Sequence, residues 1–142
     1  MLVVDANIIV HLKCRSAHTD YALQAYARDQ YWLVPPLWRY EFLNALACFC
    51  HRGIYTSREA AVILSDALAG FGPQERAVNH GAALTLAAQH RISGCDAQYI
   101  ALAQELAVRL LTEDKELLRK FPTATVSLRA FCNGSHTTAG RP

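Results

Sequence analysis

Short apolar runs separated by helical stretches predict an α/β fold, a short and mostly parallel central sheet covered by helices on both faces in three layers. Three observations carry the prediction. Apolar runs at residues 2–4, 31–34 and 109–112 are too brief for helices and suit buried strands. The segments between them place apolar residues at helical spacing. Two acidic residues, Asp5 and Asp114, follow the first and third runs, at the strand ends where such sheets bind ligands.

Taken in order, LVV ends at Asp5-Ala6-Asn7 and passes into a short helix, so the Asp5 carboxylate is expected at a strand's carboxyl end. Residues 17–30 mix Ala, Leu and Tyr with polar side chains at helical spacing, and YWLV at 31–34 is a second strand stopped by Pro35-Pro36. Residues 37–51 form the most apolar helix, ended by Gly53; its apolar circumference predicts a buried helix. Thr56 or Ser57 followed by Glu59 opens the next helix, to Gly70, and the two make a helical hairpin. Gly72-Pro73 marks a loop, residues 79–90 a helix, and Ser93 the start of another to about Ala107. RLLT at 109–112 is a strand, 115–120 a short helix stopped at Phe121-Pro122, and ATVSL at 124–128 a last strand. One domain is expected over 1–132, with 133–142 a polar, disordered tail.

The chain has 142 residues, 52% of them hydrophobic, enough to bury roughly two thirds of the surface its unfolded form exposes. Asn44 and Asp66 interrupt the longest apolar stretches before the ~18 residues of a membrane span, so no membrane partner is expected. The opening apolar residues reach Asp5 at once, with no basic segment before them and no cleavage-site pattern, which predicts a cytoplasmic protein. Five cysteines without a disulfide framework agree with a reducing compartment. A net charge of +2 is too small to argue for nucleic acid unaided.

Four acidic residues, Asp5, Glu41, Asp96 and Asp114, are the candidates for chemistry. Each has an alternative local explanation. Asp5 suits an Asx turn, Asp96 a capping box opened by Ser93, and Asp114 the N-cap of the helix after it. Glu41 stands in an apolar helix, where from Leu37 to Cys50 the other polar residues are Arg39 and Asn44. Arg39 points about 200° away from it and Asn44 shares its face. An unpaired carboxylate buried there would cost several kcal/mol, on the order of the penalty for burying an ion. Converging carboxylates repel one another and commonly exist to hold a metal; oxygen-only ligands suit Mg²⁺ or Mn²⁺.

Read in order, hhhDANIIV, the W-x-x-E helix, the S-x-x-DAxYIALA segment and the L-T-x-D segment resemble the PIN-domain family, in particular VapC-type toxins of toxin–antitoxin modules, over residues 1–130. The resemblance implies a PIN-like three-layer fold and a metal-dependent endoribonuclease, with metal-binding and catalytic roles for Asp5, Glu41, Asp96 and Asp114. It implies supporting roles for Asn7 and Thr112, and partners consisting of RNA, a small antitoxin protein and a second copy of the chain. Cys95 stands where relatives often carry an aromatic residue. Glu113 adds an acid beside Asp114 and could replace it as ligand if Asp114 caps its helix.

Lys115, Arg119 and Lys13 are candidates for holding the RNA backbone, with a solvated helix face as the alternative. The six histidines and the Cys48-x-Cys50 pair lack zinc-binding spacing. Two further readings stay open. The hhhDxN start also resembles haloacid-dehalogenase-like phosphatases, although Asn7 replaces their second Asp, and a PIN-like protein could bind RNA or protein without cleavage.

Overall fold

In the computed structural model, which describes residues 1–134, the strands form one sheet with every pairing parallel. The strands are β1 (Leu2–Val4), β2 (Trp32–Leu33), β3 (Leu110–Leu111) and β4 (Thr125–Val126), in spatial order β2-β1-β3-β4. Their side chains are buried on both faces, as expected for strands with helices above and below.

Helices α1 (Ala6–Lys13) and α2 (Thr19–Arg28) connect β1 to β2. The chain then returns past β1 to β3 through α3 (Trp38–His51), α4 (Ser57–Phe71), α5 (His80–His90) and α6 (Gly94–Glu105). Helix α7 (Lys115–Lys120) joins β3 to β4, and α8 (Leu128–Asn133) follows. The chain therefore winds outward from β1 in both directions. Crossovers between parallel strands are right-handed as a rule, which puts α1–α2 and α6 on opposite faces of the sheet and leaves a crevice between the carboxyl ends of β1 and β3.

Helix α6 packs on β1 and β3 with α5 against it. Helix α1 packs on α2 and on the hairpin α3–α4, while α8 rests on α2. The core is continuous from the sheet into these helices, and its largest buried side chains include Trp32, Trp38, Phe42 and Tyr99. The α4 start has the expected capping box: the Glu59 N–H donates to Thr56 at 3.2 Å and the Thr56 N–H donates to Glu59 at 2.8 Å.

The structure corrects two expectations. The run 124–128 is a strand only at Thr125–Val126, because Ser127 adopts an N-cap geometry, accepts from the Ala130 N–H at 3.2 Å and starts α8. The α3 helix is not buried all round. Trp38, Phe42 and Leu46 form its inward stripe, whereas Tyr40 is 69% and Leu43 51% exposed. Helices α1 and α4 cover only part of its circumference. The tail expected at 133–142 lies outside the described residues apart from Asn133, which closes α8, and Gly134.

Candidate active site

Asp5 is placed by the sheet. Beyond β1 its N–H still donates to the Leu111 carbonyl at 3.0 Å, and the Thr112 N–H donates to Val126 at 3.0 Å, so both residues leave the sheet side by side. The Thr112 hydroxyl, wholly buried, donates to Asp5 Oδ2 at 2.7 Å and accepts from the Asp114 N–H at 3.0 Å. Asn7 adds its side-chain amide to Asp5 Oδ2 at 3.3 Å and its backbone N–H to Oδ1 at 3.3 Å, the expected Asx turn. Asn7 Oδ1 also accepts from the Glu113 N–H at 3.4 Å. Two segments more than a hundred residues apart are thereby tied into one polar unit.

Glu41 enters from the first turn of α3, where its Oε1 accepts from the Tyr99 hydroxyl of α6 at 2.7 Å. Asn44, expected on the same face, is exposed, and Arg39 pairs with Glu75. Asp96 stands in the first turn of α6, its N–H donating to Ser93 Oγ at 3.0 Å. Asp114 caps α7, accepting from the Leu117 N–H at 2.9 Å. The local roles foreseen for Asp5 and Asp114 thus exist, whereas the capping box foreseen at Asp96 is only half made: Ser93 caps α6 and, among the described residues, the Asp96 carboxylate makes no return bond to the Ser93 N–H.

All four line a single open cavity of about 340 Å³ together with Asn7, Val10 and His11. Among the described residues none of the four forms an ion pair with a lysine or arginine. Burial, opposed in part by the Thr112 hydrogen bond, raises the Asp5 pKa to about 7, with the charges of Glu41 and Asp96 adding to the rise. Burial also pushes up Glu41 and Asp96, which are further raised by Asp96 and Asp114 respectively.

A raised folded-state pKa makes a pH prediction for the metal-free protein. Asp5 binds its proton more tightly folded than unfolded, so its contribution is whole below about pH 4 and is lost as pH rises toward 7. Stability should therefore fall across that interval by at most about 4 kcal/mol, taking about 1.4 kcal/mol per pH unit. Urea unfolding from pH 4 to 8 in EDTA checks this; stability rising with pH through the interval would contradict it.

Among the described residues, no three carboxylate, imidazole or thiol groups stand close enough for a direct three-ligand shell. The donor set nevertheless fits a hydrated divalent ion. It is all oxygen, negatively charged and without a local counter-cation, and Mg²⁺ retains several waters while using one or two carboxylates.

The other expected residues fall in different places. Glu113 is outside the cavity lining and accepts from the Leu128 N–H at 2.7 Å, at the start of α8. Lys115 and Arg119 are exposed on α7. Lys13 bonds Asp66 at 2.6 Å.

Tyr99 and His11 were not foreseen. Tyr99 reads as core in the run DAQYIALA, but it lies one turn from Asp96, and a buried Tyr hydroxyl needs a partner. His11 lies on the face of α1 that carries Asn7 and Val10, its Nδ1 2.8 Å from Ser16 Oγ. Helical spacing could have identified it.

A parallel sheet with order β2-β1-β3-β4 and four carboxylates at its carboxyl edge defines the class. The PIN domain family model matches residues 2–122, and the chain belongs to the PIN-domain family. Within that family it is of the VapC type: it is 32% identical over 125 residues to Ribonuclease VapC3 of Pyrobaculum aerophilum, an alignment covering 85% of this chain and 95% of that protein. Its fold is similar to the crystal structure of PAE2754 from Pyrobaculum aerophilum, with a TM-score of 0.75, 23% identity and 92% of each chain covered.

Proposed function

We propose that this protein is a divalent-metal-dependent endoribonuclease and the toxin of a toxin–antitoxin pair. The observation that carries the reading is the convergence of Asp5, Glu41, Asp96 and Asp114 on one cavity, with no lysine or arginine paired to them among the described residues. Membership of the PIN-domain family and similarity to Ribonuclease VapC3 supply the reaction class.

In this reading Asp5, Glu41, Asp96 and Asp114 would hold Mg²⁺, or Mn²⁺ in its place, one or two of them directly and the others through the ion's waters. The bound ion supplies Lewis acidity, lowering the pKa of water and polarising the phosphodiester. Thr112 and Asn7 fix the Asp5 carboxylate, and Thr112 also fixes the Asp114 backbone. Water attacks phosphorus in line, the bond from phosphorus to the 3′-oxygen breaks, and the products carry 5′-phosphate and 3′-hydroxyl ends.

Lys115 and Arg119, on the helix that Asp114 caps, would contact the RNA backbone; Lys13 would first exchange its partner Asp66. Exposed Tyr40, Leu43, Ile54 and Val62 on and beside the α3–α4 hairpin support a protein partner, an antitoxin or a second copy. No helix among the described residues is long and apolar enough to cross a membrane. All five cysteines are free, which supports a reducing, cytoplasmic setting.

The test is incubation of purified protein with total cellular RNA and Mg²⁺ or Mn²⁺, with and without excess EDTA. Cleavage that requires metal and stops with EDTA is the expected result. RNA left intact while metal binds would favour the non-cleaving binding module, and cleavage unaffected by EDTA would reject the metal assignment.

A further inference from the structure

The four cavity carboxylates are not held alike. Asp5 is fixed by the end of β1 and by Thr112, while Asp96 and Asp114 stand at helix starts, where the Asp96 N–H donates to Ser93 Oγ and Asp114 accepts from the Leu117 N–H. Glu41 has the longest side chain of the four and, among the described residues, accepts no hydrogen bond from α3. Its fixed partner is the Tyr99 hydroxyl, 2.7 Å from Oε1 and 58 residues away in sequence. Tyr99 is itself immobilised: its ring is buried on α6 within the core.

We propose that Tyr99 is a positioning residue that pins Oε1 of Glu41, leaves Oε2 as that side chain's one ligating oxygen, and so disfavours Ca²⁺ relative to Mg²⁺ and Mn²⁺. The inference rests on the reading of Glu41 as a ligand given above. Ca²⁺ accepts six to eight oxygens and commonly takes a carboxylate through both, whereas Mg²⁺ requires near-octahedral geometry with single oxygens and waters. A Glu with both oxygens free can serve either ion; one whose Oε1 accepts a fixed phenol proton has one lone pair of that oxygen committed and its rotation restricted, which favours coordination through Oε2 alone. The Tyr99 hydrogen bond also removes the rotamer freedom that a long Glu side chain would otherwise lose on binding.

The test measures Mn²⁺ affinity by calorimetry, and Ca²⁺ competition against it, for the unmodified protein, Tyr99→Phe, Glu41→Gln and the double variant. The expected result is Mn²⁺ binding weakened about 10-fold in Tyr99→Phe, the size typical of losing a ligand's supporting hydrogen bond. The competition should shift toward Ca²⁺, and Tyr99→Phe should add nothing in the Glu41→Gln background. Unchanged Mn²⁺ affinity and Ca²⁺ competition in Tyr99→Phe, with Glu41→Gln weakened, would leave Tyr99 a packing residue and overturn the proposal alone. Additive losses in the double variant would also overturn it, since Tyr99 would then act elsewhere. Unchanged affinity in Glu41→Gln would remove Glu41 from the ligands and take the underlying reading with it. Should Tyr99→Phe fail to fold, NMR of the unmodified protein decides. A slowly exchanging Tyr99 hydroxyl proton should persist at saturating Mg²⁺, and its disappearance would show that Glu41 has let go.

Discussion

Asp5→Asn is expected to lower RNA cleavage by at least about 100-fold and, above pH 7 without metal, to raise the melting temperature. The two effects share one cause. Asp5 is 7% exposed and is the most deeply buried of the four carboxylates, so its charge above neutral pH is both the strongest attraction for a cation and a destabilising load in metal-free solution. Asparagine retains an oxygen that can accept from Thr112 while removing the charge. Below about pH 4 Asp5 is protonated in both the folded and the unfolded chain, and the stability difference between the two proteins should vanish. Thermal melts at pH 4 and 8 in EDTA, beside cleavage assays with metal, check both halves. An Asp5→Asn protein that cleaves normally, or is equally destabilised at both pH values, would contradict the account.

The second large effect is on stability. Trp38→Ala should cost about 3–5 kcal/mol, the usual range for emptying a large aromatic site, against a total of about 5–15 kcal/mol for a typical domain. Trp38 is wholly buried, packs at ring separations of 5.9 Å on Phe42 and 5.8 Å on Phe71, and donates from Nε1 to Glu75 at 2.9 Å. It also begins α3, less than a turn before Glu41, so the variant should bind Mn²⁺ more weakly as well as unfold earlier. Urea titration measures the first effect and calorimetry the second; a loss under about 1 kcal/mol would mean that the α3 start is held by other contacts.

The sequence exposed the site where local chemistry and topology coincide. Asp5 and Asp114 could be brought together because each follows an apolar run, and parallel sheets gather such ends at one edge. Their cap roles were equally legible, since Asx turns and N-caps depend on a few neighbouring residues. Long-range pairings were not legible. Nothing local to Glu41 points to Tyr99 on a different helix, and Tyr99 itself stands in a run whose apolar neighbours are buried. Exposure failed for the same reason: α3 is apolar all round, but which part of it remains open depends on how α1 and α4 approach. The end of β4 was missed because apolar residues continue past Ser127, whose capping competes with extension of the strand.

The central claim, hydrolysis of RNA by water activated at the Asp5, Glu41, Asp96 and Asp114 cavity, is tested most directly by the chemistry of the cut ends. Products from purified protein with Mg²⁺ should ligate to a 3′ adaptor without prior treatment and carry a 5′-phosphate, and cleavage should persist at a target site whose 2′-hydroxyl is replaced by hydrogen. Products ending in 2′,3′-cyclic phosphate with 5′-hydroxyl partners would show that the RNA's own 2′-oxygen is the nucleophile, and would contradict the mechanism.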